Sequence, residues 1–336
     1  MSFDRAYLLV LLQKGLPLVE RPFMTLGEKC GASEAEVLET ITELFSNDHA
    51  RRFGGVFDTR RLGFKSSLCA VHLDEAHFDQ KLDLLLHENG ITHSYRRGQP
   101  EGLKALVTQD TSTVPNFWFT YIHDANSYDA AIADIATRLA PDQLLELPAL
   151  KRFKVDVIFG ASAGDQKHDP NAPYLQPFKD LPELTEVERE IIKNLQGNVK
   201  IEKNFFQNLA KQCNLDIETL LNQLDGMRKL GRLKRIAIIL KHYNVGVRAN
   251  GMCVWQVPPD QIEILGQGLA MQPEVTHCYE RPGFDGFEYN LYAMIHGKTW
   301  EETYATFKNL SQKLSLTKGL LLGSLNEYKK SSPTYF

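Results

Sequence analysis

The chain has 336 residues, 43% of them hydrophobic and 24% charged, and a formal net charge of −4. That length predicts about two to four ordinary globular domains, and the acidic balance argues against a nucleic-acid partner. No apolar run approaches the roughly 20 residues of a membrane span. Met1-Ser-Phe-Asp-Arg5 contains no signal-peptide apolar region, so a cytoplasmic location is expected. The cysteines Cys30, Cys69, Cys213, Cys253 and Cys278 form no Cys-x-x-Cys pair. Their scatter fits reduced, buried thiols and neither a disulfide framework nor a metal site.

The first predicted helix is Asp4–Gln13 and the second Phe23–Cys30. Ser33, with Glu36 three residues on, has capping-box spacing for a third helix ending near Asn47. Arg51–Phe57 reads as a strand, which completes a winged helix-turn-helix. Beyond it come a strand at Phe64–Leu73, a helix at Asp74–Asn89 and strands at Ile91–Arg97 and Pro115–His123. A helix at Ser127–Leu139 and a strand at Arg152–Phe159 follow. That order, β-α-β-β-α-β, is ferredoxin-like. Gly98–Val114, low in apolar residues, is expected to be a loop and a candidate lid. Gly160–Leu184, with Pro170, Pro173, Pro177 and Pro182, is expected to be an extended linker.

The remainder restates the first part. Thr185 caps a helix over Glu186–Leu195, Lys203–Cys213 follows, Asp216 caps a helix reaching Leu230, and Arg232–Leu240 is a wing. Then come Val247–Val257, Pro259–Ala270, Glu274–Arg281, Phe287–His296, Trp300–Leu314 and Leu316–Glu327 in ferredoxin-like order. Cys30 and Cys213, Arg52 and Arg235, and Gly63 and Gly246 are each 183 positions apart. The period is far longer than the roughly 20–50 residues of a solenoid unit, so two whole modules are joined in tandem. The expected class is α+β, with two repeats of a winged helix and an AsnC-type ferredoxin-like domain. The boundaries are 1–58, 59–160, a linker at 161–184, 185–241 and 242–336. Two such halves make a pseudo-dimer within one chain, and a further homodimer is conceivable on the same symmetry argument.

A winged helix followed by a ferredoxin-like domain is the plan of the Lrp/AsnC transcription regulators. The helix that would enter the major groove, Ser33–Phe45, carries four glutamates and no basic residue. Phosphate-rich DNA repels such a helix. No Gly-x-Gly-x-x-Gly, P-loop or His-Glu-x-x-His motif occurs, so nucleotide and zinc-protease chemistry lack support. The polar residues gather on the wings and the ferredoxin-like parts. Arg51, Arg52, Asp58, Arg60, Arg61, Lys65, His93, Tyr95, Arg96 and Arg97 lie in the first half. Lys234, Arg235, Lys241, His242, Tyr243, Arg248, Asn250, His277, Tyr279, Arg281 and His296 lie in the second. Strand residues two apart share a face, so His93 projects with Tyr95, and His277 with Tyr279 and Arg281. A lone strand histidine or a basic run is more often structural or solvated than functional. Thr-His-x-Tyr recurs in both halves, which shared ancestry and packing also explain.

At these residues the chain resembles the sirohaem decarboxylases, whose Lrp/AsnC-like subunits occur as A-type and B-type pairs, sometimes fused. The B-type likeness lies in His242-Tyr-Asn-Val-Gly-Val-Arg-Ala-Asn-Gly-Met-Cys-Val-Trp255, His277-Cys-Tyr-Glu-Arg-Pro282 and Tyr289-Asn-Leu-Tyr-Ala-Met-Ile-His-Gly297. The A-type likeness lies in Arg52–Cys69, Thr92-His-Ser-Tyr95 and Asn116-Phe-Trp-Phe-Thr120. The family commonly has His-Arg where this chain has His242-Tyr243, and Arg248 is the candidate substitute for that arginine. The resemblance implies removal of the C12 and C18 acetate carboxyl groups of sirohaem, giving 12,18-didecarboxysirohaem for haem d1 or protohaem formation. It implies no cofactor beyond the iron tetrapyrrole substrate, whose macrocycle is its own electron sink. It places His277 and His296 first among the catalytic candidates, then His242, His93, Tyr95 and Tyr279. Arg52, Arg60, Arg61, Lys65, Arg235, Arg248, Asn250 and Arg281 are the candidates for gripping carboxylates. A tetrapyrrole-sensing regulator and a non-catalytic carrier are the alternatives.

Overall fold

The computed structural model describes residues 3–104, 114–140, 142–155, 181–240 and 249–336. The first winged helix comprises α1 (Arg5–Lys14), α2 (Pro22–Cys30), α3 (Glu34–Ser46) and β1 (Ala50–Phe57). The first ferredoxin-like part is β2 (Phe64–Val71), α4 (Phe78–Leu86), β3 (Ile91–Gly98), a single turn α5 (Glu101–Lys104), β4 (Phe117–Asp124), α6 (Tyr128–Leu139), β5 (Leu144–Leu147) and β6 (Lys151–Val155). The second winged helix is α7 (Glu186–Leu195), α8 (Phe205–Gln212), α9 (Ile217–Lys229) and β7 (Leu233–Leu240). The second ferredoxin-like part is β8 (Ala249–Trp255), α10 (Ile262–Ala270), β9 (Val275–Glu280), β10 (Leu291–Gly297), α11 (Trp300–Lys313) and β11 (Gly319–Lys330).

The fold pairs like with like across the repeat. One compact unit holds the described parts of Met1–Leu62, Ile158–Asn244 and Ser332–Phe336, and so both winged helices. The other holds the described parts of Gly63–Val157 and Val245–Ser331, and so both ferredoxin-like parts. No described helix is long and apolar enough to cross a membrane.

In the winged-helix unit, β1 and β7 pair antiparallel, with Gly54 opposite Ala237. Each wing thus covers an edge the other would leave open. Gly54 has to be glycine, because a Cβ there would lie 2.5 Å from the Gly197 carbonyl oxygen. Phe23, Phe53 and Phe205 form the aromatic centre, with ring centroids 5.2–6.5 Å apart. Both capping boxes are present, Ser33 with Glu36 and Thr185 with Glu188. Tyr335 joins this unit through Thr59 Oγ1, 3.0 Å from its hydroxyl, and through Gln196 Oε1, 2.7 Å from its backbone N–H. Helix α3 is as acidic as its sequence, and Glu34 and Glu43 are paired with Arg21 and Arg5. We expect no sub-micromolar binding to any defined duplex operator at physiological salt, as read by fluorescence anisotropy. Such binding would reverse the exclusion of a regulator.

The ferredoxin-like unit is one nine-stranded sheet in the order β5-β2-β4-β3-β11-β8-β10-β9-β6. Each four-strand half has the ferredoxin order, and the halves join where β11 pairs with β3. Reciprocally, β6 leaves the first half and pairs with β9 of the second. This corrects the single strand expected at Arg152–Phe159. Its place in the first half belongs to β5, because Pro148 has no N–H to continue the ladder. Residues 156–159 of that expected strand lie outside the described residues. Helix α4 is shorter than the predicted Asp74–Asn89 because Asp74 forms a turn, its Oδ1 accepting from Ala76 N–H at 3.2 Å. The expected lid over Gly98–Val114 includes α5, and its remainder up to residue 113 lies outside the described residues, as does most of the linker at 161–184.

Two apolar cores underlie the helices. One contains Val71, Phe78, Phe119 and Tyr128, and the other Trp255, Ile262, Ile295 and Leu310. A third core, containing Trp118, Leu147, Met252, Phe287, Tyr292 and Leu322, lies where the two helix-free sheet faces meet. The sheet curls enough for Arg281, at the end of β9, to donate to the carbonyl of Leu147 on the far edge strand β5.

Candidate functional site

The helix-free face carries the histidines because of a bulge repeated in both halves. Ile91 lies opposite Tyr121 and His93 opposite Thr120, so Thr92 is the extra residue. In the second half Val275 lies opposite Ile295 and His277 opposite Met294, so Thr276 is the extra residue. Ile91 and Val275 belong to the helix-side cores, and the bulge turns the next odd-numbered residue to the other face. Tyr95 opposite Trp118 and Tyr279 opposite Tyr292 continue that face. The two sites share another contact: His93 Nδ1 is 3.1 Å from Thr92 Oγ1, and His277 Nδ1 is 3.1 Å from Thr276 Oγ1.

An arginine follows on each side: Arg97, near the end of β3, is buried, and Arg281, just past β9, is half-buried. The Arg97 guanidinium lies 5.0 Å from the centre of the Tyr95 ring, and Arg281 lies 4.8 Å from Tyr279 and 5.6 Å from Tyr292. Arg97 donates to Ser324 Oγ at 3.0 Å. Neither arginine has a carboxylate partner among the described residues, and the Nε of each is unpaired. Burial pushes Arg97 down to about 10, which leaves it charged at neutral pH, and burial lowers Arg281 as well. Asn250 Oδ1 and the Tyr292 hydroxyl, also on this face, are buried without a partner among the described residues. Guanidinium groups held on tyrosine rings, with Nε donors unsatisfied, suit anionic oxygens. A cavity of about 480 Å³ beside Arg97 is also lined by His72, Arg96, Lys104, Asn116 and Leu322.

His296 follows Met294 on β10, opposite Asn250. Its Nε2 is 3.0 Å from Thr276 Oγ1, so that one hydroxyl touches both second-half histidines. Burial, then the charges of Lys330 and Arg97, hold its pKa down to about 4. The imidazole is therefore neutral at pH 7 in the substrate-free protein. An unfolded histidine titrates near 6.5, so this group favours the fold above that pH and disfavours it as pH falls toward about 4.

A family model for an AsnC-like ligand binding domain matches residues 61–154 and 244–329. A model for the siroheme decarboxylase NirDL-like HTH domain matches residues 6–48. A siroheme decarboxylase of Hydrogenobacter thermophilus is 31% identical over 100% of this chain and 95% of its own length. The chain belongs to the siroheme decarboxylase family. A siroheme decarboxylase beta subunit of Methanosarcina barkeri is 34% identical over 42% of this chain and 93% of its own. Two solved structures of the siroheme decarboxylase NirDL superpose with TM-scores of 0.75 and 0.74, at 30% and 29% identity. Each covers 98% of this chain and at least 93% of its own, and the second is in co-complex with an iron-uroporphyrin III analogue.

Within this family member, the face gathers the expected His93, Tyr95, Asn250, His277, Tyr279, Arg281 and His296. His242, Tyr243 and Arg248 lie outside the described residues. Lys65 lies on the helix-covered face, 2.9 Å from Asp129 Oδ1, 3.5 Å from Glu146 Oε1 and 4.2 Å from the centre of the Tyr128 ring. His123, on β4, stacks on Tyr121 on that same face, and Ile122 occupies the register that matches His296. The remaining basic candidates lie in the winged-helix unit with local partners. Arg52 donates to the carbonyls of Gln196 at 2.6 Å and Gly55 at 2.9 Å, and Arg61 to that of Leu230 at 3.0 Å. Gln196 and Leu230 are helix C-caps, so both arginines cap helices. Arg60 lies 3.6 Å from Asp58, and Arg235 sits on β7 opposite Val56. Sequence reasoning gave no role to Arg97, Thr276 or Lys330. The repeated Thr-His pair was the available signal for Thr276, whereas Lys330 reaches the site only because β11 crosses to β3.

Proposed function

We propose that this chain removes carboxyl groups from sirohaem, as a carboxy-lyase acting on the C12 and C18 acetates, and that it works without a cofactor of its own. The observation that carries the reading is the doubled His-x-Tyr-x-Arg face, which sets imidazoles on the same face as arginines that no carboxylate among the described residues neutralises. Decarboxylation releases CO₂ and leaves an electron pair on the carbon next to the macrocycle. The conjugated iron tetrapyrrole, as substrate, spreads that charge. The protein then has to hold and desolvate the carboxylates and add a proton. In this reading Arg97 and Arg281 grip carboxylates, while His277 and His296 provide the proton in the second half and His93 serves the first.

Anaerobic incubation with sirohaem, followed by mass analysis of the extracted pigment, tests this. Loss of two CO₂ supports the decarboxylase. Unchanged pigment that stays bound supports a carrier and overturns the proposal. Charge-assisted hydrogen bonds are worth about 1.5–3 kcal/mol, so Arg97→Gln and Arg281→Gln should each weaken sirohaem binding by at least about 10-fold. Anaerobic absorbance titration reads this, and unchanged affinity in both variants would remove the arginines from the binding site.

A further inference from the structure

We infer that the Thr276 hydroxyl is a proton-relay and positioning residue coupling His277 to His296, which makes the second half chemically distinct from the first. The inference rests on the decarboxylase reading and deepens it. Thr276 Oγ1 lies 3.1 Å from His277 Nδ1, 3.0 Å from His296 Nε2 and 3.2 Å from the Met294 carbonyl oxygen. Its hydrogen therefore has two acceptors in reach, and its lone pairs can accept from His277. The bulge at Thr276 creates this arrangement, because the extra residue sets the hydroxyl between neighbouring strands. The same bulge exists at Thr92, and Thr92 Oγ1 meets His93 Nδ1 at 3.1 Å. There Ile122 stands at the register that His296 holds in the second half, so among the described residues no second imidazole occupies that position.

The relay resolves a difficulty in the chemistry. His296 is half-buried, with Arg97 on β3 and Lys330 on β11 as its charged neighbours, His277 on β9 and the neutral Asn250 on β8. A neutral imidazole cannot give up a proton unless it receives one. In the relay, protonated His277 passes its Nδ1 proton to Thr276 Oγ1. Thr276 passes its own hydroxyl proton to His296 Nε2, and His296 releases its Nδ1 proton to the substrate carbon. One proton leaves His277 and one reaches the carbon that has lost CO₂. Thr276 is unchanged, and His296 is neutral before and after, with its hydrogen moved from Nδ1 to Nε2.

The test compares Thr276→Val, which keeps the shape and removes the hydroxyl, with Thr276→Ser, which keeps the hydroxyl, and with Thr92→Val. The relay predicts that Thr276→Val lowers turnover by about 10- to 100-fold with sirohaem affinity unchanged, within the range of a positioned proton donor. Its residual activity should rise toward acid pH, because His296 must then carry the proton itself. Thr276→Ser should restore most of the rate, and Thr92→Val should cost less than Thr276→Val. Wild-type turnover in Thr276→Val, or equal failure of Thr276→Ser, overturns the relay. Nitrogen-15 NMR of the histidine rings in the substrate-free protein separates this from the decarboxylase reading itself. Thr276→Val should change the tautomer signals of His277 and His296. If those signals do not move, the relay is wrong whatever the wild-type enzyme does with sirohaem.

Discussion

The His277→Ala/His296→Ala double variant is expected to bind sirohaem and fail to convert it. The two histidines sit on neighbouring strands of one face and touch the same hydroxyl, so removing both deletes the proposed second-half proton source. A positioned acid contributes about 10²–10⁴-fold, and turnover should fall by that amount. Binding should persist because the proposed carboxylate grips, Arg97 and Arg281, belong to other positions. If the halves each serve one acetate, monodecarboxysirohaem accumulates, and mass analysis of the pigment reads this directly. Full two-step conversion at the wild-type rate would move the assignment to His242, His93 or a tyrosine.

The largest stability effect is expected at Arg232. Its Nη1 donates to both carboxylate oxygens of Glu188, at 2.6 and 2.7 Å, and its Nη2 to the carbonyl of Pro182. Glu188 is also the acid of the capping box that starts α7, and the side chains are only 2% and 7% exposed. Removing one partner of such a pair strands the other charge in the interior and costs about 3–5 kcal/mol. Arg232→Met should lower the urea midpoint accordingly. Adding Glu188→Gln should restore most of the loss, since Gln maintains the capping box and no buried charge remains. A loss below about 1 kcal/mol in Arg232→Met would show that the pair is solvated in the folded protein.

Much of the local structure is legible in the sequence because local chemistry specifies it. Ser33 with Glu36 and Thr185 with Glu188 start their helices at the expected residues. The strand alternation at His93-x-Tyr95 and His277-x-Tyr279 gives the correct partners for each face. Misplaced elements trace to backbone effects outside that alternation, such as the Asp74 turn and the break at Pro148. The basic runs are ambiguous in sequence for a different reason. A guanidinium that caps a helix, such as Arg52 or Arg61, has the same sequence signature as one that grips a ligand.

Legible in the chain alone are the fold class, most of the order of elements, the duplication, and the family likeness carried by Thr-His-x-Tyr and Met-Ile-His-Gly. These are short-range patterns, written within a few residues of one another. Only the tertiary structure decided that β11 and β6 exchange between the halves, which sets Lys330 opposite His93 and strand β6 beside His277. Only it paired Arg97 of the first half with the environment of His296 in the second, and left Ile122 where a matching histidine would stand. Strand exchange and register are settled by packing two apolar sheet faces around Trp118, Tyr292 and Leu322. That free energy depends on residues far apart in the chain, and no local spacing encodes it.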